Sequence, residues 1–221
     1  APLRADRDYA RASLSDIESD WSVYRNLDKD FVSLGRLSPV PRLATALRAK
    51  LVAAGDNVLE GYRNAADSNL SSFDWRKARA SLAHALELDP SAGDIRGKIA
   101  LCDGYLSLVE APPASGAALQ HFQTAATWVP RSPDPHLGLA RVYTYSLHNP
   151  GQAVAELGIA ERLGYKLGPR EREQQADNYL LRAEDELKQF KAARSPGEQR
   201  RWRSVIRRDI ERARDLYEPI A

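Results

Sequence analysis

A spacing of small and large apolar residues recurs three times in this chain and restricts its fold more than any other feature. In each copy a small residue is followed four positions later by a large apolar residue, and three positions after that by a second small residue. Steps of four and three place all three side chains on one face of an α-helix, where small residues let a neighbouring helix approach closely. Repetition of such a helix predicts a stack of similar units. The copies are Ala78-Leu82-Ala85, Ala118-Phe122-Ala125 and Ala153-Leu157-Ala160.

The composition favours helices over any other regular structure. The chain of 221 residues contains 33 Ala and 27 Leu but only 10 Val, 7 Ile and 4 Thr. Ala and Leu are strong helix formers, whereas β-branched residues are enriched in strands. We therefore predict an all-α protein, and the composition argues against a β-sandwich, a β-barrel or a doubly wound sheet.

The recurring spacing resembles the second helix of a tetratricopeptide repeat (TPR), in which a proline follows the second small residue by five positions. Pro90 and Pro130 stand at that position in the first two copies, and Tyr165 replaces the proline in the third. The resemblance implies an α-solenoid, a right-handed superhelix of TPR-like helix pairs. The predicted repeats span about 59–92, 93–132 and 133–168, with a degenerate fourth from 169.

Amphipathic segments outside the repeats predict non-repeat helices that cap both ends of the stack. Apolar residues at steps of three and four around Trp21 predict a helix over about 6–34, for which a coiled-coil dimerisation arm is the alternative. Ser195-Pro196-Gly197-Glu198 has the pattern of a helix N-terminus and predicts a final helix. The predicted organisation is a capping segment at 1–40, a repeat domain at 41–193 and a capping helix at 194–221.

The apolar stripe from Leu43 to Ala65 leaves two alternatives open. Its residues stay on one helical face throughout, which favours a single long helix. Asn57 and Glu60 have the spacing of a capping box, which favours a second, collinear helix that begins there.

No motif for catalysis is present in the sequence. It has no phosphate-binding glycine loop, nucleophile elbow, dinucleotide fingerprint or metalloprotease helix, and its four histidines lack the spacing of metal ligands. Cys102 is the single cysteine, so an internal disulfide is excluded and a buried thiol is expected. We therefore expect neither an enzyme nor a bound cofactor or metal. No run of 18 apolar residues exists, so we expect no transmembrane segment.

The TPR resemblance implies a concave groove lined by the first helix of each repeat. Residues at the groove positions are of mixed charge and include two tyrosines, which suits an extended peptide or a helix from a protein partner. The alternative is that these residues are ordinary solvated helix surface. The candidate groove residues are Glu60, Arg63, Asp67, Asp94, Tyr105, Arg141, Tyr145, Glu173 and Asp177.

Two other functions stay open at this level. The chain contains no Met, even at position 1, which suggests an excised or processed chain. In that case the chain would be the regulatory or sensor region of a longer membrane-anchored or enzymatic protein. It would form a soluble domain on the cytoplasmic or the extracytoplasmic side of the membrane. The arginines from Arg194 to Arg214 suggest polyanion binding, but interleaved acidic residues argue against nucleic acid.

Overall fold

The computed structural model describes residues 7–31, 40–66, 69–110 and 113–218. Within these residues the regular structure is entirely helical, with nine α-helices and no strand, so the predicted all-α class is confirmed. A 3₁₀ turn at Leu70–Ser72 is the remaining helical element. The α-helices are α1 (Leu14–Phe31), α2 (Val40–Arg63), α3 (Trp75–Leu88), α4 (Gly93–Val109), α5 (Ser115–Trp128), α6 (Asp134–Tyr145), α7 (Pro150–Arg162), α8 (Pro169–Ala192) and α9 (Pro196–Tyr217).

Helices that are adjacent in sequence pack as pairs. The strongest contacts join α2 to α3, α4 to α5, α6 to α7 and α8 to α9. The second helix of each of the first three pairs also packs against the first helix of the following pair. In addition, α4 touches both α2 and α6, and α6 touches α8. Each pair therefore shares surface with the next one along the chain.

The three copies of the recurring spacing occupy equivalent environments. All nine side chains, on α3, α5 and α7, are completely buried, as the prediction required. Two of the three large residues lie against glycines on the first helices: a Cβ atom added at Gly55 would come within 2.5 Å of the Leu82 side chain. Phe122 is enclosed from two sides, since a Cβ atom at Gly104 would come within 2.6 Å of its ring and one at Gly138 within 2.5 Å. Neighbouring backbones thus approach closely at these positions.

The beginning of the first predicted repeat differs from the structure. Residues of the stripe from Leu43 form one continuous helix that ends at Arg63, so the alternative of two collinear helices is wrong. A first helix starting near residue 59 is also wrong, because the chain leaves the helix after Arg63 and enters a long connection to α3. That connection is held by its own contacts: the Asn69 side chain accepts a hydrogen bond from the Ser71 amide, and the Trp75 indole donates one to the Leu70 carbonyl over 2.8 Å.

The N-terminal end of the stack is closed by α1, which packs on α2 and α3. It begins at Leu14, later than predicted, and residues 32–34 of the predicted helix lie outside the described residues. Ile17 is fully buried and Trp21 is 6% exposed. The Trp21 ring stacks on the imidazole of His84 from α3, with ring centroids 4.4 Å apart. His84 Nε2 lies 3.0 Å from a carboxylate oxygen of Glu18, so α1 is fixed by both apolar and polar contacts.

The C-terminal end consists of the hairpin formed by α8 and α9. The predicted N-terminus of α9 is confirmed, since Ser195 caps the Glu198 amide and the Glu198 carboxylate accepts from the Ser195 amide. In contrast to α1, α9 buries only Asp209 and Ala213 of its 22 residues. Ile210 is 49% exposed, although it belongs to the apolar face that the sequence pattern places inside.

Candidate partner-binding surface

The candidate groove residues lie on the first helices of the pairs, α2, α4, α6 and α8, but they do not form one surface. Asp67 lies outside the described residues. Asp94 is exposed in the first turn of α4 and makes no ion pair with the other described candidates. Tyr105 is in the core. The others form two clusters, one of Glu60 and Arg63 and one of Arg141, Tyr145, Glu173 and Asp177.

The first cluster is a small polar cleft between α2, α4 and the start of α6. Arg63 Nε donates to Asp134 Oδ1 over 2.8 Å, and the pKa of Arg63 is raised chiefly by this hydrogen bond. On the opposite side of the cleft, Lys98 Nζ lies 2.7 Å from Asp56 Oδ1. The cleft holds about 140 Å³. Sites for small ligands are typically at least about 300 Å³, so this cleft is below the usual size, and Arg63 and Lys98 are already paired with Asp134 and Asp56.

Tyr105 is a correction to the groove prediction. It is 3% exposed, because aromatic residues of α2, α3 and α5 cover it. Its ring stacks on Trp75 with centroids 4.4 Å apart, and it packs edge to face with Tyr62 and Phe122. Burial raises the pKa of Tyr105 well above its usual value. Tyr105 therefore stabilises the core and is inaccessible to a partner.

Arg170 has a structural role that the sequence pattern does not predict. It lies at the start of α8 and is 5% exposed. Its Nη1 donates to the Tyr62 carbonyl over 2.6 Å, its Nε donates to Glu171 over 2.7 Å, and its guanidinium lies 4.2 Å from the centroid of the Tyr62 ring. These contacts attach the start of α8 to the end of α2 and close the inner face there. The apolar periodicity of a helix identifies its buried hydrophobic residues, so it does not predict that an arginine is buried.

The second cluster is open to solvent, and we refer to it as the Tyr145 surface: Arg141 and Tyr145 of α6, Glu173 and Asp177 of α8, and Tyr217 of α9. Tyr145 is 41% exposed. Its hydroxyl donates to Asp177 Oδ2 over 2.7 Å, and the Arg141 guanidinium lies 5.3 Å from the centroid of its ring. The Tyr217 hydroxyl donates to the other oxygen of Asp177. Sequence analysis did not include Tyr217, because it lies on α9, outside the predicted repeats.

The electrostatics of the Tyr145 surface keep both phenols neutral. Burial, followed by the hydrogen bond to Asp177, raises the pKa of Tyr145, and the same causes in the same order raise that of Tyr217. The surface therefore presents an aromatic face, one guanidinium and two carboxylates at neutral pH. These groups bind by hydrogen bonding, charge pairing and aromatic packing.

A broader cleft of about 760 Å³ lies beside the 3₁₀ turn, under the start of α3 and the end of α4. Its polar side chains already have structural contacts. Asp74 caps α3 by accepting from the Lys77 amide over 2.9 Å, and Arg76 lies 3.7 Å from Glu110. No pair of a nucleophile and a base converges there.

The remaining reactive groups of the described residues are not arranged as a site. No group of three or more His, Cys, Asp or Glu side chains in this part of the chain is placed to bind a metal ion. Cys102 is buried, and burial raises the pKa of its thiol. No α-helix of the described ranges is long and apolar enough to span a bilayer.

The arginines of α9 are partly engaged by neighbouring side chains. Arg208 pairs with Asp209 over 3.1 Å, and Arg214 pairs with Asp215 over 2.9 Å. Arg203 lies over the Phe190 ring and Arg212 over the Tyr179 ring. Part of the positive charge of α9 is therefore engaged by internal contacts, whereas Arg200, Arg203 and Arg207 are exposed and make no ion pair among the described residues.

Comparisons with protein families, with curated proteins and with solved structures give no significant match to this chain. Its function is therefore inferred from its own surfaces.

Proposed function

We propose that this protein is a non-catalytic interaction scaffold built as a TPR-like superhelix, which binds a segment of a protein partner at the Tyr145 surface. Three observations support the superhelix. The recurring Ala–large–Ala spacing is completely buried in three helices, Leu82 and Phe122 contact glycines of the first helices, and the first helices touch one another along one side. Stacked helix pairs with these contacts are the arrangement that TPR-like repeats adopt.

The exposed position of Tyr145 carries the functional proposal. An aromatic ring that is 41% exposed would lose rotational freedom on binding if it were mobile. Here the hydroxyl is fixed by Asp177 and the ring is covered on one side by Arg141, so little further ordering is needed. Tyr and Arg are also the residues that dominate binding energy in many protein interfaces.

The charge of the Tyr145 surface indicates the chemistry of the partner. Glu173 and Asp177 outnumber Arg141, and Glu173 acts on the pKa values of both Tyr145 and Tyr217. A segment that places an apolar side chain on the Tyr145 ring and a Lys or Arg near the two carboxylates satisfies both features. An extended peptide or one face of a helix meets this requirement.

The test is affinity capture from an extract of the source cells with the immobilised protein, followed by quantitative mass spectrometry. We expect the double variant Arg141→Glu/Tyr145→Ala to lose a defined set of proteins that the unchanged chain retains. Arg131→Glu is the matched control, since Arg131 is exposed in the connection between α5 and α6 and carries the same charge change away from the surface. Capture of the same set by all three proteins, with equal helical content, would refute the proposed binding surface.

A further inference from the structure

The hairpin of α8 and α9 carries an apolar cleft that nothing in the described chain covers. We refer to it as the α9 cleft; it holds about 740 Å³. Leu187 and Ile210 are 42% and 49% exposed, which is high for large apolar residues at neighbouring positions. The cleft is lined by Leu187, Phe190, Ile206 and Ile210, with Arg203, Arg207 and Glu211 at its edge.

The charges of α9 are unevenly distributed along its length. Glu198 in the first turn and Arg214 in the last turn have the signs that the helix dipole favours. Between these turns, arginines predominate before residue 209, and carboxylates outnumber arginines from residue 209 to residue 218. Arg203 and Arg207 are also one helical turn apart, where like charges repel. The basic residues before residue 209 are Arg200, Arg201, Arg203, Arg207 and Arg208, and the later part holds Asp209, Glu211, Asp215 and Glu218 together with Arg212 and Arg214.

These basic residues are not fully compensated within the chain. Among the described residues, Arg200, Arg203 and Arg207 make no ion pair, and all three are exposed. Arg203 and Arg207 therefore repel each other with no carboxylate of the described residues paired to either of them. An acidic surface that lies against these arginines would compensate their charge.

A second copy of α9, placed antiparallel, offers such a surface. About a two-fold axis beside residue 209, Arg207 faces Glu211 of the second copy, and Glu211 faces its Arg207. The same axis brings Arg203 near Asp215 and Arg200 near Glu218 of the second copy, two carboxylates that also lie 2.9 Å and 3.6 Å from Arg214 of their own chain. Each contact then occurs twice, as a two-fold interface requires. Ile206 and Ile210 lie on either side of the axis, so the apolar residues meet at the centre and the charges surround them.

We propose that the α9 cleft is the site at which a second copy of this chain docks, through antiparallel α9 helices. The two hairpins then form a four-helix arrangement, in which Leu187, Phe190, Ile206 and Ile210 of both copies are removed from water. The dimer joins two stacks at their C-terminal ends. It leaves α1 and the N-terminal pairs free.

A charge-reversal series in sedimentation equilibrium tests this proposal. At high micromolar concentration we expect the unchanged chain to have twice its monomer mass of 24.6 kDa. Arg207→Glu places like charges opposite each other at two equivalent contacts, so it raises the dimer dissociation constant at least about tenfold. The double variant Arg207→Glu/Glu211→Arg exchanges the two partners and restores association to that of the unchanged chain.

Two further variants make the test specific to this face. Arg201→Glu makes the same charge change on α9 at a position roughly 120° around the helix from Arg207, and we expect it to leave the dimer unchanged. Ile210→Ser removes a central apolar contact and weakens the dimer without a change of charge. A monomeric unchanged chain, a dimer that survives both Arg207→Glu and Ile210→Ser, or a folded double variant that stays monomeric would each overturn the proposal.

Discussion

The first and last helices, α1 and α9, share an amphipathic pattern but are covered to very different degrees. Both α1 and α9 are amphipathic, and each has one tryptophan on its apolar face and one buried aspartate. Ile17, Trp21 and Tyr24 of α1 are nearly or completely buried, whereas α9 buries no large apolar side chain. Amphipathic spacing thus predicts a helix with an apolar face, but the neighbouring elements decide whether that face is covered.

The difference arises from what each helix packs against. α1 contacts two helices, α2 and α3, and its Trp21 ring stacks on the His84 ring of α3. α9 packs chiefly on α8, whose side chains near it include Glu186 and Arg182. A single helix partner cannot cover the whole apolar stripe of another helix. An end helix needs two neighbours to be buried, and α9 has only one in the single chain.

The largest expected difference in the free energy of unfolding is between variants of the two tryptophans, Trp21 of α1 and Trp202 of α9. Trp21→Ala should lower the free energy of unfolding by about 3 kcal/mol, because it removes a buried ring and leaves a cavity against His84 and Tyr24. Trp202→Ala should cost about 1 kcal/mol, because Trp202 is partly exposed. Urea unfolding followed by circular dichroism measures both. Equal losses would show that α9 is as well packed as α1.

The buried aspartates provide a second, smaller contrast. Asp20 accepts a hydrogen bond from Tyr9 over 3.1 Å and lies 3.3 Å from Arg7, whose side chain is 18% exposed. Asp20→Ala leaves the buried Tyr9 hydroxyl unpaired and leaves Arg7 with Asp16 as its other ion-pair partner, so we expect a loss of about 2 kcal/mol. Asp209→Ala should cost about 1 kcal/mol, because water can reach the Arg182 and Arg208 side chains, which are 37% and 49% exposed. The same urea titrations give both values, and a larger loss for Asp209→Ala would contradict the contrast.

The smallest expected effect is the loss of helix capping at acidic pH, and it should be the same at the N-termini of α1 and α9. Hydrogen bonds from Ser13 lower the pKa of Asp16, and hydrogen bonds from Ser195 lower that of Glu198. A carboxyl group whose pKa is lower in the folded state stabilises the fold above its unfolded pKa, and this stabilisation is lost as the pH falls through the folded pKa. Both helix N-termini should therefore fray below about pH 4.

Amide chemical shifts of residues 13–16 and 195–198 measured between neutral and acidic pH would follow this fraying. Ser13→Ala and Ser195→Ala are the matched variants, and each should reduce the pH dependence at its own end alone. A transition at only one end would show that the two capping interactions differ in strength.

Local sequence patterns predicted much of the fold. The buried faces around Ala78, Ala118 and Ala153 and the start of α9 at Ser195 follow from side-chain spacing and from capping chemistry, which act over a few residues. These features depend little on the rest of the molecule, so the sequence is sufficient to predict them.

Features that depend on distant contacts were not predictable in this way. Ala65 and Ala66 are strong helix formers, yet α2 ends at Arg63, and Phe73 and Trp75 further along the chain pack against Tyr62. The same aromatic cluster buries Tyr105, which the repeat pattern places on the surface. Tyr217 reaches the Tyr145 surface only because α9 folds back along α8. In each case tertiary packing overrides the local preference.

The ring of Phe122, enclosed by Gly104 and Gly138, has a mechanical consequence. It is anchored in α5 but lies against both α4 and α6, so bending the molecule between those two helices must displace a close-packed aromatic side chain. Relative movement of α4 and α6 is therefore opposed at this ring. A force applied along the row of helix pairs would be transmitted from α4 to α6 through the Phe122 ring, and the two helices would not slide past each other.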